Sequence, residues 1–275
     1  MEATRKPENG PPPRPDRGTL LEGLQGWRRL LFLHWPVAYA AVRPAVPAAL
    51  PLDLRDGKAW VSVVAFDIAG ARPPLVPPGL GLAFLETNAR TYVRLPGGEP
   101  GVWFFSLDAS SWLAVAGARL AYGLPYHHAR MARERDGDLE VYRTVRRRPE
   151  AAGLEVRYRV GDPLGTAAPG SLDAFLVERY ALRVARRGGF GTVRVRHEPY
   201  PLREVEIASV SEDLLAAAGI ERPDAPPLAH FSDGVNVEVR RVVEWPRFAW
   251  PRGSMRRAEV AEPARFLSRI EEDAT

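Results

Sequence analysis

The segment Phe84–Val93 reads FLETNARTYV and puts Glu86, Asn88 and Arg90 at alternate positions, with Thr87, Ala89 and Thr91 between them. Alternate side chains of an extended chain share one face, so this strand presents a carboxylate, an amide and a guanidinium side by side. Three polar groups on one face are costly inside a core unless they are paired or line a wet cavity. Two readings follow. The face is either exposed at a sheet edge or tied up in a Glu86–Arg90 pair, or it is a pocket wall. In the pocket, Arg90 binds an anion, Asn88 hydrogen-bonds the same ligand and Glu86 does acid–base work.

A second concentration is Tyr126-His127-His128-Ala129-Arg130, directly after Gly123-Leu124-Pro125. A helix end, a proline turn and a strand start can set Tyr126 at the mouth of a barrel, where its hydroxyl could donate to a ligand. A packed ring with a satisfied hydroxyl is the alternative. His127 near Glu86 would titrate around neutrality and serve as acid or base. Arg130 is a second candidate for the anion. The expected catalytic set is therefore Glu86, Tyr126 and His127, and the expected substrate-binding set is Asn88, Arg90 and Arg130. Weaker signals are Asp108 as a helix N-cap, Glu178-Arg179-Tyr180 as a cross-barrel pair, and His34-Trp35-Pro36 and His197-Glu198-Pro199-Tyr200 at strand ends.

Other chemistries lack their residues. A P-loop and a Rossmann glycine fingerprint are absent, and Gly79-Leu80-Gly81 falls in a proline-rich loop. There is no H-E-x-x-H, and the five histidines are scattered apart from His127 and His128, which as strand neighbours face opposite ways. No metal and no cofactor are expected. With no cysteine, disulfides, Fe–S clusters and thiol nucleophiles are excluded. The nucleophile elbow G-x-S-x-G is also missing.

The elements that must position these residues read mainly as strands. Ala59–Ile68 is almost wholly apolar and follows Asp56-Gly57, a hairpin signal. Leu154, Val156, Tyr158 and Val160 alternate with charged residues, as do Val235, Val237 and Val239 with polar ones. Hairpins are expected for 129–135 with 139–146 and for 180–185 with 190–197. Helices are expected at Asp108–Leu124, with an apolar face at Trp112, Val115, Ala116, Arg119 and Leu120, and at Ser171–Val177 and Ser211–Ala218. Many strands with few helices and no βαβ rhythm point to an α+β fold, mainly antiparallel β, closed as a barrel with a pocket at its mouth.

The chain has 275 residues, 45% hydrophobic and 26% charged, which suits a soluble globular protein. No run approaches the roughly 18 apolar residues of a membrane span, and no signal peptide is evident at the start. A proline-rich flexible tail is expected at 1–18, one barrel domain at 19–250, and a C-terminal tail at 251–275 with a short helix around Phe266, Leu267 and Ile270. The net charge is +4, but 34 acidic residues are interspersed and only Arg146-Arg147-Arg148 is a dense basic run. That argues against nucleic acid as a partner. Of 38 basic residues only Lys6 and Lys58 are lysine, a bias consistent with a cytoplasmic protein of a GC-rich bacterium. A homo-oligomer is left open.

Six segments resemble the uncharacterised bacterial YqjF-like family: FLHWPV (32–37), DGKAWV (56–61), ETNARTYV (86–93), GVWFFSLDA (101–109), ARLAYGLPY (118–126) and PGSLDAFLVERY (169–180). They occur in the family's order and the resemblance spans roughly residues 20–245. More distantly, Val42–Asp53 is similar to the L-R-x-x-V-P-x-x-L-x-x-D stretch of acetoacetate decarboxylases, and Tyr122–His127 to their G-F-P-K-K segment. This likeness implies a cone-like β-barrel with flanking helices. In that family the first lysine forms a Schiff base with a β-keto acid, its neighbour lowers its pKa, and a glutamate assists, for which Glu86 is the match. Here the two lysine positions hold Tyr126 and His127. Imine formation requires an amine; Lys6 lies in the tail and Lys58 in a solvated hairpin. The implied function is thus a barrel that binds a small carboxylate- or carbonyl-bearing molecule without Schiff-base decarboxylation. Lysine-independent acid–base chemistry fits best if it is an enzyme. The alternatives are a filled, structural or interaction barrel and a nucleic-acid binder.

Overall fold

The long apolar and alternating runs become eleven strands in the computed structural model, which describes residues 21–186 and 189–244. In chain order these are β1 (Leu21–Val37), β2 (Ala59–Arg72), β3 (Leu82–Arg94), β4 (Pro100–Ala109), β5 (Tyr126–Asp136), β6 (Leu139–Arg146), β7 (Ala152–Gly165), β8 (Ala181–Arg186), β9 (Gly189–Arg196), β10 (Leu202–Glu212) and β11 (Leu228–Glu244). Four helices interrupt them: α1 (Tyr39–Val42), α2 (Trp112–Tyr122), α3 (Leu172–Val177) and α4 (Leu214–Ala217). All strands join one sheet in the order β1-β2-β3-β4-β5-β6-β7-β10-β11-β9-β8. The pairings are antiparallel except for β4 with β5 and β4 with β8. β1 also pairs with β11, from Leu21 opposite Arg240 to His34 opposite Leu228. The expected α+β, mainly antiparallel character is therefore present.

Two apolar layers lie on the two faces of the sheet. Because β2 is apolar at nearly every position, it feeds both: Val61, Val63 and Ala65 enter one layer, and Trp60, Val64, Phe66 and Ile68 the other. The first layer includes Trp35, Tyr142, Tyr158 and Leu214 and Leu215 of α4. The second includes Phe32, Tyr92, Leu107 and the buried side chains of α3. β3 lies between β2 and β4, so Glu86, Asn88 and Arg90 stand on a central strand, all buried on the side of the second layer. The exposed-edge reading of this face is thereby excluded.

Several helix limits differ from the expectation. β4 continues through Asp108 to Ala109, and α2 starts only at Trp112, capped by Ser111, whose hydroxyl accepts from the Ala114 N–H at 3.3 Å. Asp108 is not the cap. Gly123 ends α2 at φ 67°, a left-handed position suited to glycine. Ser211 lies in β10, and the helix after it is only Leu214–Ala217. α3 forms where expected, its Ser171 hydroxyl accepting from the Ala174 N–H. The expected tails at 1–18 and 251–275 lie outside the described residues.

Candidate functional site

Arg90 sits in one register row with two other polar residues. His34 on β1 is opposite Ser62 on β2, and Ser62 is opposite Arg90 on β3. The six residues of α3 end against this row, and a helix leaves its last carbonyls without intrahelical partners. The Leu176 carbonyl takes up two donors, the Tyr92 hydroxyl at 2.9 Å and Arg90 Nη2 at 3.3 Å. The Arg90 guanidinium lies 5.8 Å from the Phe32 ring centroid and 6.0 Å from that of Tyr92. It is 8% exposed and makes no ion pair among the described residues, and its Nε has no partner. Arg146 and Arg179, buried to a similar degree, each hold a carboxylate: Asp108 at 3.0 Å and Asp53 at 2.7 Å.

Glu86 and Tyr126 meet at the other end of the same face. Asn88 is opposite Leu107 of β4, and Leu107 is beside Tyr126 of β5, which brings Tyr126 diagonally across to Glu86. The Tyr126 hydroxyl donates to Glu86 Oε2 at 2.8 Å. Burial pushes the Glu86 carboxyl up to about 7; hydrogen bonds from Tyr126 and Asn88 oppose the rise, and the nearby Asp108 charge adds to it. A carboxyl at that value can take and return a proton at neutral pH. The Glu86–Arg90 pair does not form. Asn88 is buried between them with its Oδ1 unpartnered.

His127 and Arg130 fall elsewhere. His127 is in register with Asp108, on the opposite side of the pleat from Tyr126. Arg119 of α2 donates to its Nδ1 at 3.3 Å, and burial together with Arg146 and Arg119 holds its pKa down to about 4. It is a neutral acceptor at pH 7, next to the Asp108–Arg146 pair rather than Glu86. Arg130 is exposed beside Val145, outside the buried group. Lys58 is exposed in the turn bridged by Arg55 and Lys58.

Residues not singled out with β3 complete the buried polar set. His34 Nδ1 is 2.6 Å from Ser62 Oγ, which is 2.6 Å from the Tyr92 hydroxyl. Burial, then His230 and Arg90, hold the His34 pKa well below its usual value. His230 of β11 packs edge-on to His34, ring centroids 5.4 Å apart, and its Nε2 meets Asp173 of α3 at 3.0 Å. Glu178, Tyr180, His197 and Tyr200 gather nearby: Tyr180 donates to Glu178, and the His197 ring lies 4.6 Å from each tyrosine. His34 and His230 are 196 positions apart, so only the β1–β11 pairing brings them together, and no sequence signal connects them. Outside this set, a groove of about 310 Å³ opens where Leu85 and Ser110 meet Asp67, Ile68 and Phe84. Among the described residues no helix is long and apolar enough to cross a membrane.

The eleven-stranded, mainly antiparallel sheet is of the acetoacetate decarboxylase-like fold. A solved acetoacetate decarboxylase superposes with a TM-score of 0.59 at 13% identity, covering 83% of this chain and 91% of that one. The enduracididine biosynthesis enzyme MppR, complexed with pyruvate, gives 0.56 at 10% identity, over 83% and 92%. The chain belongs to the YqjF family of uncharacterised proteins. Residues 24–236 match the uncharacterized conserved protein family DUF2071, and the chain is 37% identical over 228 residues to the uncharacterized protein YqjF of Bacillus subtilis (strain 168), covering 82% of this chain and 91% of the relative.

Proposed function

We propose that the sheet closes through β1 and β11 as a cone whose interior binds a small carboxylate-bearing molecule. The observation that carries this reading is Arg90. A buried guanidinium without a carboxylate is strongly disfavoured, and the comparably buried Arg146 and Arg179 are both paired. A ligand carboxylate at Arg90 supplies the missing anion. The pyruvate-bound MppR with the same fold is consistent with a small keto acid or related acid in this position.

Glu86 and Tyr126 then face the rest of the ligand as a proton-holding pair. Glu86, poised near 7, exchanges a proton, and Tyr126 orients its carboxyl. Asn88 sits between the two ends and offers its amide to the ligand. His127 and Arg130 have no part in this arrangement, since one turns to Asp108 and the other to solvent. No imine step enters, because Tyr126 and His127 occupy the lysine positions and Lys58 is exposed.

Calorimetric titration with a panel of two- to six-carbon acids tests this. At least one acid is expected to bind the wild type, with binding lost in Arg90→Met and retained in Arg130→Ala. Borohydride reduction in the presence of a β-keto acid is expected to leave the protein mass unchanged. A panel without binders, or a binder indifferent to Arg90→Met, would favour a filled, structural interior instead. A reduced adduct on Lys58 would overturn the lysine-free chemistry.

A further inference from the structure

The hydrogen bonds around His34, which include a 3.2 Å contact between the Tyr92 hydroxyl and His34 Nδ1, run one way when the Tyr92 proton goes to the Leu176 carbonyl. The Leu176 carbonyl can only accept, so the Tyr92 hydroxyl donates to it at 2.9 Å. Tyr92 has one proton, so across its 2.6 Å contact with Ser62 it is the acceptor and Ser62 the donor. Ser62 has spent its only proton in turn, so across the 2.6 Å contact with His34 the Nδ1–H donates to Ser62 Oγ. The chain Nδ1–H→Ser62→Tyr92→Leu176 thus sets the neutral ring as the Nδ1–H tautomer. Its Nε2 is left as a bare lone pair, buried and without a protein partner.

One more orphaned polar atom lies beside it, on the His230 ring packed edge-on to His34. Asp173 meets His230 Nε2 at 3.0 Å, and His230 Nδ1 is buried without a partner. Ser232, opposite Leu30 and farther along the same face, has an unpartnered buried hydroxyl. Phe32 joins these groups to the anion site, with the His34 ring stacked at 6.1 Å and the Arg90 guanidinium at 5.8 Å from its centroid. A bare buried acceptor needs a donor. Beside the Arg90 cation an ammonium would be repelled, so the fitting donor is a neutral hydroxyl.

We propose that His34 Nε2 accepts the hydroxyl proton of a ligand whose carboxylate lies on Arg90, so that the interior is built for a hydroxycarboxylate. This rests on the carboxylate reading of Arg90 and narrows it to a substrate class.

Titration of the full chain with matched pairs, lactate against propionate and 3-hydroxybutyrate against butyrate, tests it. One hydroxy acid is expected to bind about tenfold more tightly than its deoxy partner, the worth of one satisfied buried hydrogen bond. His34→Phe is expected to abolish the difference while deoxy-acid binding persists. Nitrogen NMR of the wild-type rings gives a second readout, independent of that variant's folding. His34 is expected as the Nδ1–H tautomer, with its Nε2 resonance shifting on addition of the hydroxy acid alone. Equal binding within both pairs, or an Nε2–H tautomer, overturns the hydroxyl station and leaves the Arg90 site standing. Failure of all four acids to bind removes both.

Discussion

Tyr126 donates its phenolic proton to Glu86 across 2.8 Å, although the two residues lie 40 positions apart on strands separated by β4. The contact occupies one carboxyl oxygen of a fully buried acid whose pKa is about 7. It orients the buried carboxyl, and the response of the protein to pH follows from the raised pKa.

Raising a carboxyl from 4.5 to about 7 means that the folded state holds its proton more tightly than the unfolded chain. The stability cost is absent below about pH 4.5, grows between 4.5 and 7, and is complete above 7, where it amounts to about 3 kcal/mol. Glu86→Gln keeps an acceptor for Tyr126 and carries no charge. Chemical denaturation should therefore show this variant more stable than the wild type by about 2–3 kcal/mol at pH 8, with the two curves converging at pH 4. Equal stability at pH 8 would mean that folding does not raise the Glu86 pKa.

The Asp108–Arg146 pair on the opposite face behaves differently. Arg146 offsets a burial that still lifts Asp108 to about 6. Arg146→Met strands the carboxylate in a 0% exposed position, and breaking such a pair typically costs about 3–5 kcal/mol. The loss should be full at pH 8 and smaller at pH 5, where Asp108 escapes by protonation. A pH-independent loss in paired melts would contradict the assignment.

On α2 the buried contact is Val115, 5% exposed, whereas Trp112, Leu113 and Leu120 are 60%, 50% and 81% exposed. Val115→Ala should cost about 1–2 kcal/mol by opening a small cavity. Leu120→Gln should stay within about 0.5 kcal/mol. Thermal melts of the two variants would show the reverse order if the whole apolar stripe were packed against the sheet.

The apolar stripe of α2 shows what helical periodicity leaves undecided. Helical periodicity says which residues share a face, but Trp112 and Leu120 are buried only if something covers that face. Likewise Asp108 has the chemistry of a cap, yet a strand that runs on to Ala109 and an arginine 38 residues away decide otherwise. Tyr126 and His127 are neighbours in one motif, but the one-residue step between them puts His127 on the other side of the pleat from Glu86.

By itself the sequence determined the properties that follow from local geometry and residue identity. Period-two alternation put Glu86, Asn88 and Arg90 on one face, Asp136-Gly137-Asp138 marked a hairpin, and residues 126 and 127 carry no amine. Only the tertiary structure decided which polar groups acquire partners. It gave Glu86 to Tyr126, Asp108 to Arg146 and, among the described residues, no carboxylate to Arg90, and it assembled His34, Ser62, Tyr92 and His230 from four strands. Alternation is a property of neighbouring backbone units, whereas burial and pairing depend on register between strands far apart in the chain, and that is where this protein's chemistry lies.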